Sequence, residues 1–427
     1  MKDPATTVME RCDLLANISE EPGLIHRPYG SQAMHSVNDI VAGWMRAAGM
    51  TTGRDEIGNL VGRYEGSGDK TLVLGSHLDT VRDAGKYDGI LGVMVAIAHV
   101  QQLHDRGEKL SYAMEVVGFA DEEGLRFGTT FLGSSAYAGC FDTERLRLED
   151  RGGVTLGEAV RSFGGDPDAV AGGGRSGDDL LGYCEVHIEQ GPVLEREDLP
   201  VGVVTAINGQ SRIRVGFIGR AGHAGTVPMQ ARRDALCAAA EFVLEVEAVA
   251  KAEADTVATV GEIQALPGAV NVVPGEARHS LDLRHPNDDE RERVRDTLQD
   301  RAKEIAASRG CENRWEVRQE TDAVPADRKL SSLLAQAVED SGLKPYRLPS
   351  GAGHDAAQVA TLAPVAMLFV RCKGGISHNP AESVTREDVE VALRVMRKFL
   401  RLLEREGAPL EDRDLEQTDE TLNRDRP

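Results

Sequence analysis

The sequence predicts an α/β fold that carries a smaller α+β unit inserted into it, and three observations predict it. Apolar runs of strand length at 71–76 and 112–120 flank a helix-length run that begins at Ile90, the alternation of a βα unit. Between 211 and 320 the order becomes strand, helix, strands, helix, which reads as a separate unit with its own sheet. After 328 the βα style returns. At 427 residues the chain exceeds one typical compact core, so two domains are expected. The divisions are 1–210 and 329–405 for the two parts of the main domain, 211–328 for the insert, and 406–427 for a charged tail expected to be disordered.

In chain order, Val8, Cys12, Leu15 and Ile18, then Val37, Ile40, Val41, Trp44 and Met45, recur at helical spacing and predict two helices within 5–50. The loop GLIHRPYGS between them, with Arg27 and Tyr29 at its tip, is either plain surface or a flap over the site. Residues 55–64 and 71–76 read as strands paired in a hairpin through EGSGDK. GILGVMVAIAHVQQLHDRG reads as an amphipathic helix ended by Gly107, followed by a strand at 112–120. Residues 142–181 are rich in Gly and Asp and fit a surface excursion around a helix or two. Residues 200–229, which lead into the insert, are strand-rich; within the insert 232–253 is helical, 256–265 and 276–284 are strands, and 287–309 is a helix. Helices at 329–341 and 386–405 complete the main domain.

Bulk properties exclude several classes. A net charge of −21 and 4% aromatic residues argue against nucleic-acid binding, which needs basic surfaces and stacking platforms. No run of about 18 apolar residues occurs, so no membrane span is expected. The six cysteines are scattered without CxxC spacing, and free thiols in the cytoplasm are the expectation.

The chemistry concentrates at the ends of the apolar runs. TLVLGSH ends in His77-Leu78-Asp79, a Gly-rich turn presents Asp88, and VVGFA ends in Asp121-Glu122-Glu123. CEVHIEQGP and ISHNPAE supply His187 and His378. Imidazoles and hard anionic oxygens at buried strand ends are what a two-metal hydrolase needs. Asp79 lies where a carboxylate could fix the His77 tautomer. Of the paired glutamates, one can bind metal while the other moves a proton. On the insert, Arg284 is a natural partner for a substrate carboxylate. His223 in GRAGHAGT and Asn271 in PGAVNVVPG are weaker candidates. GAGHDA (351–356) is either an anion-binding backbone nest or a tight turn.

GSHLDTV, KYDGILGV, FADEEG, CEVHIEQGP, RAGHAGT and ISHNPAE together resemble the di-metal amidohydrolases related to aminoacylase and carboxypeptidase G. Within that clan, His187 in HIEQGP is similar to the N-carbamoyl branch: allantoate amidohydrolases, N-carbamoyl-L-amino-acid hydrolases and bacterial β-ureidopropionases. The resemblance spans about residues 5–405. It implies a mixed-sheet, di-zinc-peptidase-like catalytic domain with an inserted α+β lid and dimerisation domain. It also implies two divalent ions per subunit, Zn²⁺ or Mn²⁺, with Co²⁺ or Ni²⁺ as substitutes. Asp88 would bridge them, His77 and His187 would serve one ion, and Glu123 and His378 the other. Glu122 would be the general base and Asp79 would orient His77. His223, Asn271 and Arg284 would reach the substrate, partly across a homodimer, with Gln190, Gly353 and His354 in the substrate pocket.

The expected reaction is hydrolysis of the ureido C–N bond of a small carboxylate, releasing ammonia and CO₂. The N-terminal half, with RPYGSQAMHSVNDIVAGWMRAAGM and GNLVGRYEG, resembles allantoate amidohydrolases, a resemblance that implies allantoate ahead of N-carbamoyl-L-amino acids and β-ureidopropionate. A non-catalytic binding protein of the same fold would require a lost ligand or base, and every one is present. An aminopeptidase or N-acyl aminoacylase is disfavoured by His187.

Overall fold

The computed structural model describes residues 3–406, and the fold is mixed α/β. The charged tail expected from 406 onward lies, beyond Glu406, outside the described residues. A nine-stranded sheet runs in the order Thr51–Arg54, Leu60–Tyr64, Ala113–Phe119, Thr71–His77, Leu180–Ile188, Val365–Val370, Val201–Ile207, Val324–Pro325, with Arg347–Ser350 also on Val201–Ile207. Strand period puts alternate residues on opposite faces. Leu72, Leu74, Met114, Val116, Cys184 and Val186 thus meet the helices Pro4–Ala16, Ile90–Asp105, Arg328–Asp340 and Arg386–Glu406. Val73, Val117, Tyr183 and Met367 face the opposite layer, closed by the short helices Leu132–Tyr137, Val193–Arg196 and Ala356–Val359.

Three expectations are corrected. The strand Thr71–His77 does not form a hairpin with Leu60–Tyr64, because Ala113–Phe119 lies between them, antiparallel to the second and parallel to the first. Burial of Thr71–His77 on both faces requires a central position, which a hairpin beside an edge ribbon cannot give. The helix Ile90–Asp105 is not amphipathic: it is buried on nearly every side from Ile90 to Val100, packed between the sheet and the helices Pro4–Ala16, Gln32–Ala47 and Arg386–Glu406. The loop GLIHRPYGS is neither plain surface nor flap, since Arg27 and Tyr29 are both buried. Arg27 donates to the carbonyls of Leu15 (3.0 Å), Ile18 (3.2 Å) and Leu78 (3.3 Å), and Tyr29 Oη donates to the Ile57 carbonyl (2.6 Å).

A five-stranded antiparallel sheet is built from Ile263–Leu266, Glu276–His285, Gly209–Ile218 and Glu312–Thr321, with Val257–Thr259 beside Glu276–His285. Ile213, Val215, Phe217, Leu281 and Leu283 pack on the helices Ala235–Ala252 and Asp288–Ser308. The alternate residues, Gln210, Arg212 and Arg284 among them, point to the other face, which looks into the cleft described next. No helix among the described residues is long and apolar enough to cross a membrane.

Candidate active site

The strands Ala113–Phe119, Thr71–His77, Leu180–Ile188 and Val365–Val370 are mutually parallel neighbours, so their C-terminal ends open on one edge. Ligands of α/β sheets bind at such edges. His77 ends the second of these strands, Asp121-Glu122-Glu123 follow the first, His187 is next to last in the third, and His378 follows the fourth. Asp88 comes from the turn before Ile90–Asp105. Gly89 makes that turn possible: its φ is 69°, and a Cβ there would lie 2.5 Å from the His77 ring.

The buried Asp88 carboxylate is the centre of the cluster. Its Oδ1 lies 3.1 Å from His187 Nε2 and 3.6 Å from His77 Nε2. Its Oδ2 lies 3.3 Å from His378 Nε2, which is itself 3.3 Å from Glu123 Oε1. His77 Nδ1 sits 3.1 Å from the Asp79 carbonyl and His187 Nδ1 2.9 Å from the Ile188 carbonyl. With Nδ1–H donated to those oxygens, Nε2 is the nitrogen turned toward Asp88, and loss of its proton gives the tautomer a metal ligand needs. His77, Asp88 and His187, and again Asp88, Glu123 and His378, each bring ligand atoms within 4.8 Å of one another. The donor set therefore fits two divalent ions sharing Asp88.

The titrations reflect this crowding. Burial pushes the Asp88 carboxyl up, but hydrogen bonds from His187, His378 and His77 outweigh it and hold it well below the usual range. Hydrogen bonds to Asp88 and Glu123 push His378 up to about 10. A dication would displace that proton. Glu122 accepts no side-chain hydrogen bond from the described residues, and burial pushes its carboxyl well above the usual range, with His77 opposing and Glu123 adding.

Asp79 does more than face His77. Its Oδ1 accepts the Glu122 N–H (3.0 Å) and its Oδ2 the Glu123 N–H (3.1 Å), while Oδ1 lies 3.4 Å from His77 Nδ1. Gln190 Nε2 donates to Asp88 Oδ2 (3.0 Å). Gly353 lines the cleft, whereas His354 is buried behind it, hydrogen-bonded to Ser350 (2.8 Å) and edge-on to His187 at 4.5 Å. Phe131, Gln190 and His378 all line the cleft with left-handed backbone (φ 61°, 58° and 54°), a strain that concentrates at functional sites.

The cleft has a volume of about 500 Å³ and runs from the cluster centred on Asp88 to the open face of the five-stranded sheet. Arg284 lines it, paired with Asp282 through two bonds (2.8 and 3.0 Å), and donates across to the Gly351 carbonyl (2.7 Å). His223 and Asn271 are absent from its lining. They sit together on the exposed ribbon Gly222–His223/Val272–Val273, where Ala224 N–H donates to the Asn271 carbonyl (2.9 Å). Sequence reasoning missed Ser377 and Glu382, although both lie inside ISHNPAE: Ser377 Oγ donates to Asp88 Oδ2 (2.8 Å), and Glu382 accepts the Tyr87 N–H (2.8 Å). It also missed the polar cleft wall of Asn208, Gln210, Gln319 and Thr321. Only the strand alternation of 209–218 and 312–321 carried a signal for them.

Residues 73–402 match the family model described as Peptidase family M20/M25/M40. The chain is 39% identical over 385 residues to the N-carbamoyl-L-amino acid amidohydrolase of Geobacillus stearothermophilus, covering 90% of this chain and 94% of that one. It is 39% identical over 426 residues to a probable allantoate deiminase of Oryza sativa subsp. japonica, covering 90% and 86%. The solved structure of an amidase of the hydantoinase/carbamoylase family from Burkholderia multivorans superposes with a TM-score of 0.87 at 34% identity, covering 93% of this chain and 97% of that one.

Proposed function

This chain belongs to peptidase family M20/M25/M40, and from that premise we propose that it hydrolyses the ureido C–N bond of allantoate. The enzyme class is a metal-dependent amidohydrolase acting on linear amides. The observation that carries the choice of substrate is the polar wall opposite the metal cluster. Allantoate has a second ureido group, whose donors and acceptors need polar partners, and the cleft-lining Asn208, Gln210, Gln319 and Thr321 offer them. The runner-up, an N-carbamoyl-L-amino acid, is favoured by the apolar patch of Phe131, Ile207 and Val324 in the same cleft.

His77, His187, Asp88, Glu123 and His378 would hold two divalent ions, Zn²⁺ or Mn²⁺, which supply Lewis acidity at the ureido carbonyl and acidify water. Glu122 takes a proton from the attacking water and passes it to the departing nitrogen. Its raised affinity for a proton suits both transfers. One water is consumed, the C–N bond breaks, and the carbamate product falls to CO₂ and ammonia. Arg284 orients the substrate carboxylate, exchanging part of its Asp282 pairing for it.

The exposed His223 and Asn271 act in the cleft of the second subunit of a homodimer, where His223 stabilises the oxyanion. Six unpaired cysteines suit a cytoplasmic location.

The test is ammonia release by Mn²⁺-loaded protein on allantoate and a panel of N-carbamoyl-L-amino acids, with Glu122→Gln as blank. Preference for allantoate is expected. Preference for apolar carbamoyl amino acids would transfer the assignment to the runner-up, and no ammonia from either with metal bound would overturn the ureido reading.

A further inference from the structure

We propose that Glu382 is a positioning residue for the metal centre, tying the loop that carries His378 to the turn that carries Asp88. Glu382 is buried, yet it belongs to none of the residue groups able to hold an ion among the described residues. Its Oε1 accepts two consecutive backbone N–H groups, Tyr87 (2.8 Å) and Asp88 (3.2 Å), across a separation of 295 residues for the first. Its Oε2 lies 3.4 Å from Ser377 Oγ, whose hydroxyl donates to Asp88 Oδ2 at 2.8 Å. The backbone and the side chain of Asp88 are thus both fixed by residues 377–382.

The turn is shaped around this carboxylate. A Cβ on Gly85 would lie 2.2 Å from Glu382 Cδ and Oε1, so the approach requires glycine at 85. His378, between Ser377 and Glu382, is half-exposed and adopts a left-handed conformation, with its ring held only at Nε2 by Asp88 and Glu123 among the described residues. Both arms of the second ion's cradle, Asp88 from one side and His378 from the other, then move as one piece. Partners that orient ligands in this way are worth about 10–100-fold in metal affinity.

The experiment is a Zn²⁺ titration of the metal-free full chain against a chromogenic chelator, with bound ions counted. Glu382→Ala, which orphans two buried N–H groups, should weaken one of the two ions about 10–100-fold. Glu382→Gln keeps an oxygen for those N–H groups and should stay within about threefold of the parent. Gly85→Ala, which displaces the carboxylate without touching it, should weaken binding as Glu382→Ala does. The double variant should be no weaker than either single one. Parental affinity in both Glu382→Ala and Gly85→Ala would overturn the proposal. So would equal loss in Glu382→Gln and Glu382→Ala, which would mean that charge and not the tether matters. Should Glu382→Ala fail to fold, Glu382→Gln and Gly85→Ala decide the question.

Discussion

Removing the Asp79 carboxylate should damage catalysis through the glutamates more than through His77. Asp79 is 1% exposed, and its two oxygens accept the backbone N–H groups of Glu122 and Glu123 at 3.0 and 3.1 Å. His77 keeps its Nδ1 contact to the Asp79 carbonyl, which any residue at 79 supplies. A hydrogen bond to a charged acceptor is worth about 1.5–3 kcal/mol, so Asp79→Ala forfeits about 3–6 kcal/mol of positioning. If that loss falls on the transition state, kcat/KM drops about 10²–10⁴-fold. Asp79→Asn keeps one acceptor and turns an amide donor toward the other N–H, so its loss should lie near the lower end. The assay is kcat/KM for ammonia release at saturating metal, with metal content and melting temperature measured on the same samples. If Asp79→Ala binds a full complement of metal and retains kcat/KM within about threefold, the hydrogen-bond argument is wrong.

Three further outcomes are expected. Mixed dimers of His223→Ala and Glu122→Gln, each inactive alone, should recover about a quarter of parental activity, because half of randomly paired dimers carry one intact site of two; no recovery on refolding the mixture would place His223 outside the catalytic cycle of its partner. Arg284→Lys loses the planar fork that spans Asp282 and Gly351, and should raise KM for a carboxylate substrate about 10-fold or more while changing kcat less, as read from initial rates. His279, buried against Phe217 and Phe242, is lowered to about 4 by burial, so the insert buries it neutral. Its stabilising contribution is complete above the unfolded value near 6.5 and is lost as pH falls toward about 4, at about 1.4 kcal/mol per pH unit. His279→Phe should flatten the fall of melting temperature over that window, and an unchanged profile would count against it.

What the sequence made legible follows from burial. Strands covered on both faces are mostly apolar, so His77 and the glutamates after Phe119 stood out at the ends of apolar runs, although Glu115 is buried within the second of these strands. The mixed α/β class was legible for the same reason. Strand order was not, since Ala113–Phe119 enters between two segments that are adjacent in sequence, and local pattern carries no record of that crossover. Arg27 looked like a loop tip because its burial depends on three carbonyls from two distant segments. The polar wall pairs Gln210 with Thr321 across neighbouring strands, and only the fold makes them one surface. Glu382 was hidden differently: it stood inside a quoted motif, but its partners are backbone N–H groups that no side-chain pattern reveals.

The electrostatics of the cleft resolve an apparent conflict between a chain of net charge −21 and an anionic substrate. Exposed charges are screened beyond about 8 Å at physiological salt, so the bulk of that negative charge acts only as a weak background at the cleft floor. Local charges decide. Arg212 and Arg284 share the single carboxylate Asp282, leaving one guanidinium charge in excess in that cluster of the insert wall. At the other wall, two dications would outweigh the two carboxylates among their ligands, Asp88 and Glu123, by two charges. A molecule with a carboxylate at one end and a ureido carbonyl at the other would therefore meet positive potential at both ends, with Asn208, Gln210, Gln319 and Thr321 among the side chains that line the cleft. Within a cleft of about 500 Å³, that charge order would, under the proposed function, select orientation as well as sign: the carboxylate would go to the guanidinium and the ureido group to the cluster beside Glu122.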